Sequence, residues 1–242
     1  IKTVNATAEY VKIEIKNGEE ANAIVEELKG VPFTVGAIKK SLRKKQPAPP
    51  FITSTLQQEA SLRLSFQPRR TMRIAQELYE GIDVPGMGAV GLITYMRTDS
   101  LRVSAEAKQA AVSYIEQTFG KEYLPTAAKA YKAKAGAQDA HEAIRPTHFD
   151  LDPSDIRSSL SNDQYKLYQL IWDRFLATLM AACKLDTVTC QASCNNRVFR
   201  AVGKTVKFKG FHGYLGQQVQ CFLTGDVQLF TNHVIPFFFF FY

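Results

Sequence analysis

Tyr95 lies in a short run of residue types that together suit attack on a phosphodiester. Arg97 follows it by two positions, and Thr98, Asp99 and Ser100 come directly after. A tyrosine hydroxyl is a nucleophile that leaves as a phenolate more readily than an aliphatic alkoxide, so a phosphotyrosine bond can form and later be reversed. An arginine offers forked donors that match phosphate oxygens. The spacing therefore indicates a phosphodiester nucleophile with a cation beside it.

Tyr95 also has a purely structural interpretation, because tyrosines among Leu, Ile and Met commonly pack with their hydroxyl on a polar partner. Two further strings bear on the choice. Residues 140–147 read Ala-His-Glu-Ala-Ile-Arg-Pro-Thr, and residues 50–60 read Pro-Phe-Ile-Thr-Ser-Thr-Leu-Gln-Gln-Glu-Ala. A lone histidine such as His141 is more often structural than functional, so its interpretation depends on the string around it.

Residues 50–60, 91–100 and 140–147 resemble, in the same order, three motifs of the type IA DNA topoisomerases. Met96 and the His-Glu-Ala-Ile-Arg string are more similar to bacterial topoisomerase I than to topoisomerase III or reverse gyrase. The resemblance extends over most of the chain, from about residue 10 to residue 211.

The resemblance implies a role for each candidate site residue. Tyr95 would attack the phosphodiester and become linked to the 5′ phosphate. Arg97 would stabilise the charge on the phosphoryl oxygens, and His141 would position the phosphate. Arg145 would bind the phosphate too or support the site.

The implied activity is relaxation of negatively supercoiled DNA by transient cleavage of one strand, strand passage and religation, without ATP. The partner would be single-stranded or underwound duplex DNA, bound by a monomer. A non-catalytic remnant that binds single-stranded DNA is the alternative, and only the first interpretation requires the hydroxyl of Tyr95. A tyrosine recombinase fits less well, because Arg97 follows the nucleophile instead of preceding it.

The bulk composition is that of a globular protein with a polyanionic partner. The 242 residues are 45% hydrophobic and 22% charged, and the net charge is +7, which is compatible with binding nucleic acid. No signal peptide and no apolar run of transmembrane length is visible, so a cytoplasmic, nucleoid-associated protein without a membrane partner is expected. The four cysteines lack the spacing of a zinc site and are expected to be reduced: Cys183, Cys190, Cys194 and Cys221.

Capping signals and apolar periodicity predict four helices around the motifs. Their predicted bounds are a cap at Ser54 or Thr55 to a break at Pro68, Thr71 to Tyr79, Ser104 to Phe119, and Ser161 to about Ala182. Alternation predicts strands at 10–15, 33–35 and within 185–211. Asn17-Gly18 is predicted to form a turn before a short helix over 19–28.

Two groups of basic residues have two interpretations each. The run from Lys39 to Lys45 suits either an exposed strand edge, where lysines discourage aggregation, or a contact with a DNA backbone. Arg63, Arg69, Arg70 and Arg73 cluster near the predicted helix starts, which favours phosphate binding but also fits a solvated charged face.

The predicted fold class is α+β and multidomain, with a helical tyrosine-bearing domain inserted into a β-rich gate domain that forms the arch of a type IA core. The gate domain would comprise residues 1–48 and 183–211. Residues 49–160 would form the helical domain and 161–182 a long connecting helix. A tail at 212–242 that ends in a phenylalanine run is expected to lie outside the family pattern, with a shifted reading frame as one explanation.

One departure from the family concerns metal binding and acid catalysis. The resemblance implies that Mg²⁺ ligands, a general acid and a lysine lie on or beside a Toprim domain before these motifs, and no equivalent Asp-x-Asp strand is found here. Asp150, Asp152 and Asp155 are assigned to the start of a helix instead. No metal ligand is therefore expected in this chain, and the chain alone is expected to relax no supercoils.

Overall fold

The computed structural model describes residues 15–127, 131, 141–195 and 197–214. Residues 10–14 of the first predicted strand and residues 215–242 of the predicted tail lie outside this part of the chain. Within it the elements are α1 (Gly18–Leu28), β1 (Thr34–Lys45), α2 (Thr53–Leu64), α3 (Pro68–Glu80), β2 (Ile82–Val84), β3 (Gly88–Val90), α4 (Ala105–Phe119), α5 (Asn162–Leu179), β4 (Cys183–Cys194), β5 (Arg197–Phe208) and α6 (Phe211–Tyr214).

The chain divides into two compact units. The described residues of the first are 15–43, 185–195 and 197–207, and those of the second are 44–127, 131, 141–184 and 208–214. The first unit is discontinuous in sequence, because most of the second lies between its parts. The fold therefore mixes helices with small sheets, as expected for the α+β class.

In the first unit, α1 begins one residue earlier than predicted. Asn17 is the N-cap and accepts the N–H of Glu20 at 2.9 Å, so Asn17-Gly18 starts a helix instead of forming the predicted turn. The Asn side chain explains this, because the oxygen that favours a turn also caps a helix. Arg197 binds the carboxylate of Glu27 on α1, with its terminal nitrogen 2.7 Å from Oε2.

The long strands form one sheet in the order β1-β4-β5. The predicted strand at 33–35 begins at Thr34 and extends through the basic run to Lys45, and nearly all of its side chains are exposed. The basic run is therefore part of an exposed edge strand, which fits the first of its two interpretations. Lys207 on β5 lies 3.9 Å from Asp186 on β4.

In the second unit, local capping determines most helix starts. Ser104 accepts the N–H of Ala107 at 3.2 Å and begins α4 as predicted. Ser161 and Gln164 form the predicted capping box of α5. Pro68 was predicted as the break after α2, but α2 already ends at Leu64 and Pro68 is the first residue of α3. Its missing N–H costs nothing at that position.

The start of α2 differs from the prediction. Its N-cap is Ile52, and the hydroxyl of Thr55 accepts the N–H of Ile52 at 3.0 Å. Thr55 therefore caps from within the first turn, and Ser54 makes no capping bond. The predicted end of α5 near Ala182 was also too late, because the helix ends at Leu179 and strand β4 begins at Cys183.

Helix α5 lies at the centre of the second unit and packs against α2, α3, α4 and α6. Its Tyr168, Trp172 and Phe175 are among the largest fully buried side chains. Trp172 contacts Tyr114 of α4 edge-on, with ring centroids 5.6 Å apart. Arg174 on the same helix pairs with Glu59 of α2 at 2.9 Å and lies over the ring of Phe51. This core therefore holds the first motif against α5.

The short antiparallel hairpin of β2 and β3 leads into the segment before Tyr95. The N–H of Leu92 donates to the carbonyl of Leu78 at 2.8 Å, which ties this segment to the last turn of α3. A Cβ at Gly91 would lie 2.7 Å from the carbonyl oxygen of Tyr79. Only glycine permits this close approach of the two backbones.

Candidate active site

The three strings singled out in the sequence lie side by side in the second unit and are joined by backbone hydrogen bonds. The N–H of Ile144 donates to the carbonyl of Phe51 at 2.8 Å, which joins the third string to the first. The N–H of Thr94 donates to the carbonyl of Arg145 at 3.0 Å, which joins the second string to the third. The folded chain thus brings segments 50–60, 91–100 and 141–147 together around Tyr95.

Thr94, directly before the tyrosine, strengthens the contact with the third string. Its hydroxyl donates to the carbonyl of Ala143 at 2.7 Å and accepts the N–H of Arg145 at 3.0 Å. A second threonine, Thr147, donates its hydroxyl to the carbonyl of Gly91 at 2.6 Å. These bonds fix the backbone on both sides of the buried Leu92 and Ile93, so Tyr95 follows directly on a rigid segment.

Thr53, at the start of α2, holds the other side of the tyrosine. Its hydroxyl accepts the N–H of Thr98 at 2.9 Å and donates to the carbonyl of Met96 at 2.8 Å. Its own N–H donates to the carbonyl of Thr98 at 2.9 Å. The backbone of Arg97 is therefore fixed on both sides by one threonine. The sequence drew attention to this string as a motif, but not to this function of Thr53.

The ring of Tyr95 lies between two other rings. Tyr79 contacts it edge-on with centroids 5.4 Å apart, and His141 lies on it in a tilted arrangement at 5.2 Å. Such contacts stabilise a ring in one orientation. Tyr79 was not predicted as a site residue. Tyr79 is 41% exposed although it lies in the last turn of a helix that packs on the core.

An open cavity of about 500 Å³ lies beside the tyrosine. Its lining brings together Tyr95, Arg97 and His141 from two different strings, as predicted from the sequence. The polar part of the wall is completed by Thr53, Ser54, Thr98 and Asp99. A cavity with a hydroxyl, a guanidinium and an imidazole is suited to a phosphate ester.

Arg97 and Arg145 differ in how they are engaged. Within residues 15–127, 131, 141–195 and 197–214, Arg97 makes no side-chain hydrogen bond or ion pair, and its side chain is exposed. Arg145 is only 13% exposed and pairs with Glu142 at 2.6 Å. It also donates to the carbonyl of Pro146 at 2.8 Å and does not line the cavity. Arg97 is thus available to a ligand, whereas Arg145 already has partners that hold the third string in shape.

The aspartates after the third string serve local structure. Asp152 accepts the N–H of Ser154 at 2.9 Å and the hydroxyl of Tyr114 at 2.8 Å. Burial alone would raise the pKa of Asp152, but hydrogen bonds from the hydroxyl and the N–H of Ser154, and then from Tyr114, lower it overall. The pKa of Tyr114 is raised to about 12, mainly by burial and next by the hydrogen bond to Asp152. This pair therefore joins α4 to the loop before α5.

A Mg²⁺ site cannot be built from the residues that the structure describes. No group of three or more His, Cys, Asp or Glu side chains among them could hold a metal ion. The cavity beside Tyr95 has Asp99 as the one carboxylate in its lining, and Mg²⁺ is usually held by several oxygen ligands. The described donor set therefore does not fit the metal that the resemblance implies.

The family model for DNA topoisomerases matches residues 2–221. The chain belongs to the DNA topoisomerase family. The resemblance inferred from the three strings is thereby confirmed, and the match of this topoisomerase chain continues past residue 211, where the resemblance in sequence was expected to end.

A solved structure gives the same result. A crystal structure of full-length topoisomerase I from Thermotoga maritima is similar to this topoisomerase chain, with a TM-score of 0.73 and 36% sequence identity. The similarity covers 86% of this chain and 33% of that one, so the chain spans about a third of the length of that protein. No helix in the described part of the topoisomerase chain is long and apolar enough to cross a membrane.

Proposed function

We propose that this chain contributes the cleavage tyrosine of a type IA DNA topoisomerase, which relaxes negatively supercoiled DNA without ATP. Tyr95 is the nucleophile, Arg97 stabilises the phosphoryl oxygens and His141 positions the phosphate. The observation that carries the proposal is that Tyr95, Arg97 and His141 line one cavity although His141 comes from a different string than the other two. The helical unit is, in this proposal, an insert in a β-rich gate domain.

The chemical step exchanges one phosphate ester for another. The hydroxyl oxygen of Tyr95 attacks phosphorus and loses its proton, while the bond from phosphorus to the 3′ oxygen breaks and that oxygen gains a proton. The strand on the 3′ side of the cut stays attached through its 5′ phosphate. Attack by the free 3′ hydroxyl reverses the exchange, and no ATP is needed because the ester bond is conserved.

The electrostatics of the cavity support these roles. Negative charge grows on the phosphoryl oxygens as the tyrosine oxygen approaches, and a guanidinium without another partner can respond to that charge. The backbone of Arg97 is fixed by Thr53, so the donor is positioned in advance of the reaction. His141 lies against the Tyr95 ring, where it can contact the same phosphate.

A covalent trapping assay tests the proposal. A single-stranded oligonucleotide, labelled on the 3′ side of the cut, is mixed with the chain alone and with a separately produced Toprim-domain polypeptide in Mg²⁺ buffer. The readout is a protein–DNA adduct that survives denaturant. We expect an adduct in the complemented mixture, and we expect Tyr95→Phe to abolish it.

The control is Tyr79→Phe, which keeps an aromatic ring against Tyr95 and removes a different hydroxyl. It should leave the adduct intact. An adduct that persists in Tyr95→Phe would exclude Tyr95 as the nucleophile. Salt-sensitive binding without any adduct in either mixture would leave the alternative function, a protein that binds single-stranded DNA and does not cut it.

A further inference from the structure

A second cavity of about 580 Å³ lies on the exposed side of α3 in the same unit. Its lining consists of Arg69, Met72, Arg73, Gln76, Glu77, Glu80 and Arg97. Arg97 therefore lines both this cavity and the one beside Tyr95. A ligand in contact with Arg97 at the tyrosine can continue directly into the second cavity.

The arginines of α3 divide into two kinds. Arg70 binds Asp163 of α5 at 2.6 Å and lies over the ring of Phe66, so it serves packing. Arg69 is exposed and has no side-chain partner among the residues that the structure describes. Arg73 has only a long contact, 3.9 Å, with Glu77. Arg69 and Arg73, the two α3 arginines that do not pack against the core, thus both line the second cavity.

The spacing of these cations suits a chain of phosphates. Arg69 and Arg73 are four positions apart on α3, so their Cβ atoms lie about 5–6 Å apart on one helix face. The lining also holds two carboxylates, which keep their negative charge against the three arginines and whose oxygens accept glutamine amides. Glu77 accepts the amide of Gln164 at 2.9 Å, and Glu80 accepts the amide of Gln76 at 2.6 Å.

We propose that the second cavity binds the backbone phosphates of the DNA segment on the 3′ side of the cut, through Arg69 and Arg73. This inference rests on the proposed function, because a 5′-phosphotyrosine leaves that segment attached to Tyr95. The second cavity belongs to the same compact unit as the tyrosine. Contacts there hold the attached segment beside Arg97 while the strand is open.

Binding of a short single-stranded probe as a function of salt tests the proposal. The probe is a dodecamer with a 5′ phosphate and a 3′ fluorescein, and the readout is fluorescence anisotropy with the full 242-residue chain. Each lost phosphate contact lowers the slope of log K against log salt by about 0.7 for a single strand. Arg69→Gln and Arg73→Gln should each show that loss, and Arg69→Lys should retain most of the slope.

Lys108→Gln is the matched control, because it removes one exposed charge from α4, whose residues do not line the second cavity. A slope that falls equally in Lys108→Gln and Arg69→Gln would overturn the proposal, and so would an absence of binding by the wild-type chain. A second dodecamer with a 5′ fluorescein and a free 3′ hydroxyl mimics the other side of the cut. An equal dependence of that probe on Arg69 would overturn the assignment to the 3′ segment.

The result is independent of the chemistry at Tyr95. Tyr95→Phe should bind the first probe with the wild-type slope. If no adduct forms in the trapping assay but the slopes fall as expected, the proposed function fails and the phosphate site remains. If the adduct forms and the slopes do not change, only the phosphate site is excluded.

Discussion

The hydroxyl of Thr53 accepts a hydrogen bond from the backbone N–H of Thr98, 2.9 Å away and 45 positions later in the chain. The same hydroxyl donates to the carbonyl of Met96 at 2.8 Å. Arg97 therefore lies between two backbone groups that depend on one side chain. Because that side chain begins α2, the position of the arginine is determined by a helix from a different motif.

Replacement of Thr53 by valine should impair both stability and cleavage. Valine keeps the shape but removes the hydroxyl, so a buried N–H and a carbonyl lose their partner. The free energy of unfolding should fall by about 1–3 kcal/mol, as measured by urea denaturation. Adduct formation should slow at saturating DNA, because Arg97 loses its positioning.

Thr53→Ser retains the hydroxyl and should restore the rate of adduct formation. If Thr53 served only stability, Thr53→Val would lower the free energy of unfolding. It would not change the rate of adduct formation at a temperature where the variant is folded. An unchanged rate in folded Thr53→Val would therefore exclude a positioning function.

The ion pair between Glu142 and Arg145 should matter for stability more than for phosphate binding. The side chains are 18% and 13% exposed, so Glu142→Gln leaves a largely buried guanidinium without its counter-charge. We expect a loss of about 2–3 kcal/mol in the free energy of unfolding, below the cost for a fully buried pair. Arg145→Met should cost a similar amount and lower adduct formation only in proportion to unfolding.

The double variant Glu142→Gln/Arg145→Met completes a thermodynamic cycle and should recover part of the loss. If Arg145→Met abolished the adduct while the protein remained stably folded, Arg145 would contact the phosphate itself. That outcome would favour the first of the two functions that the sequence left open for this arginine.

The contact between Tyr114 and Asp152 predicts how stability depends on pH. The folded-state pKa of Tyr114 is raised to about 12, above the ordinary value near 10. Its stabilising contribution is therefore fully present below about pH 10 and is lost as pH rises toward 12. Asp152 has a lowered pKa, so its contribution is present above the ordinary value near 4 and is lost as pH falls through the lower folded value.

Tyr114→Phe removes the titration of Tyr114 and one of the hydrogen bonds that lower the pKa of Asp152, while those from Ser154 remain. The difference in phenolate absorbance between the wild type and this variant should show one tyrosine that titrates near pH 12. Urea denaturation at pH 3 and pH 7 should show a smaller dependence on pH in the variant. A wild-type titration difference near pH 10 would contradict the prediction.

Purified alone, the 242-residue chain should not relax a supercoiled plasmid. Its described residues contain no cluster of three or more His, Cys, Asp or Glu side chains that could hold a metal ion, and loss of general acid catalysis typically costs about 10²–10⁴-fold in rate. Agarose gel electrophoresis of plasmid incubated with the chain gives the measurement. Relaxation that disappears in Tyr95→Phe would contradict the prediction, whereas relaxation that persists in that variant would indicate a contaminating enzyme.

A helix start could be predicted from the sequence where the contact that caps the helix joins residues close together in the chain. Ser104 and Ser161 cap helices through bonds to residues three positions away, and both starts were predicted. The start of α2 was not predicted, because its N-cap residue, Ile52, lacks the polar side chain that marks an N-cap in a sequence. Asn17 was assigned to a turn because its side chain suits both structures.

Contacts distant in sequence explain what could not be predicted about the site. Tyr95, Arg97 and His141 were expected to lie together through the family resemblance, and they do. Which arginines of α3 remain available depends on partners such as Asp163, 93 positions from Arg70. No pattern around Arg70 distinguishes it from Arg69, so only the folded chain separates the arginine that packs from the one that can bind a ligand.

The close approach at Gly91 also constrains how this protein can change. The Cβ of an alanine would lie 2.7 Å from the backbone of Tyr79, and backbone cannot rotate away as a side chain can. Any other amino acid at position 91 would push the last turn of α3 away from the end of β3, which precedes Tyr95. A library for altered cleavage should therefore keep Gly91 fixed, together with the α3 arginines that line the second cavity.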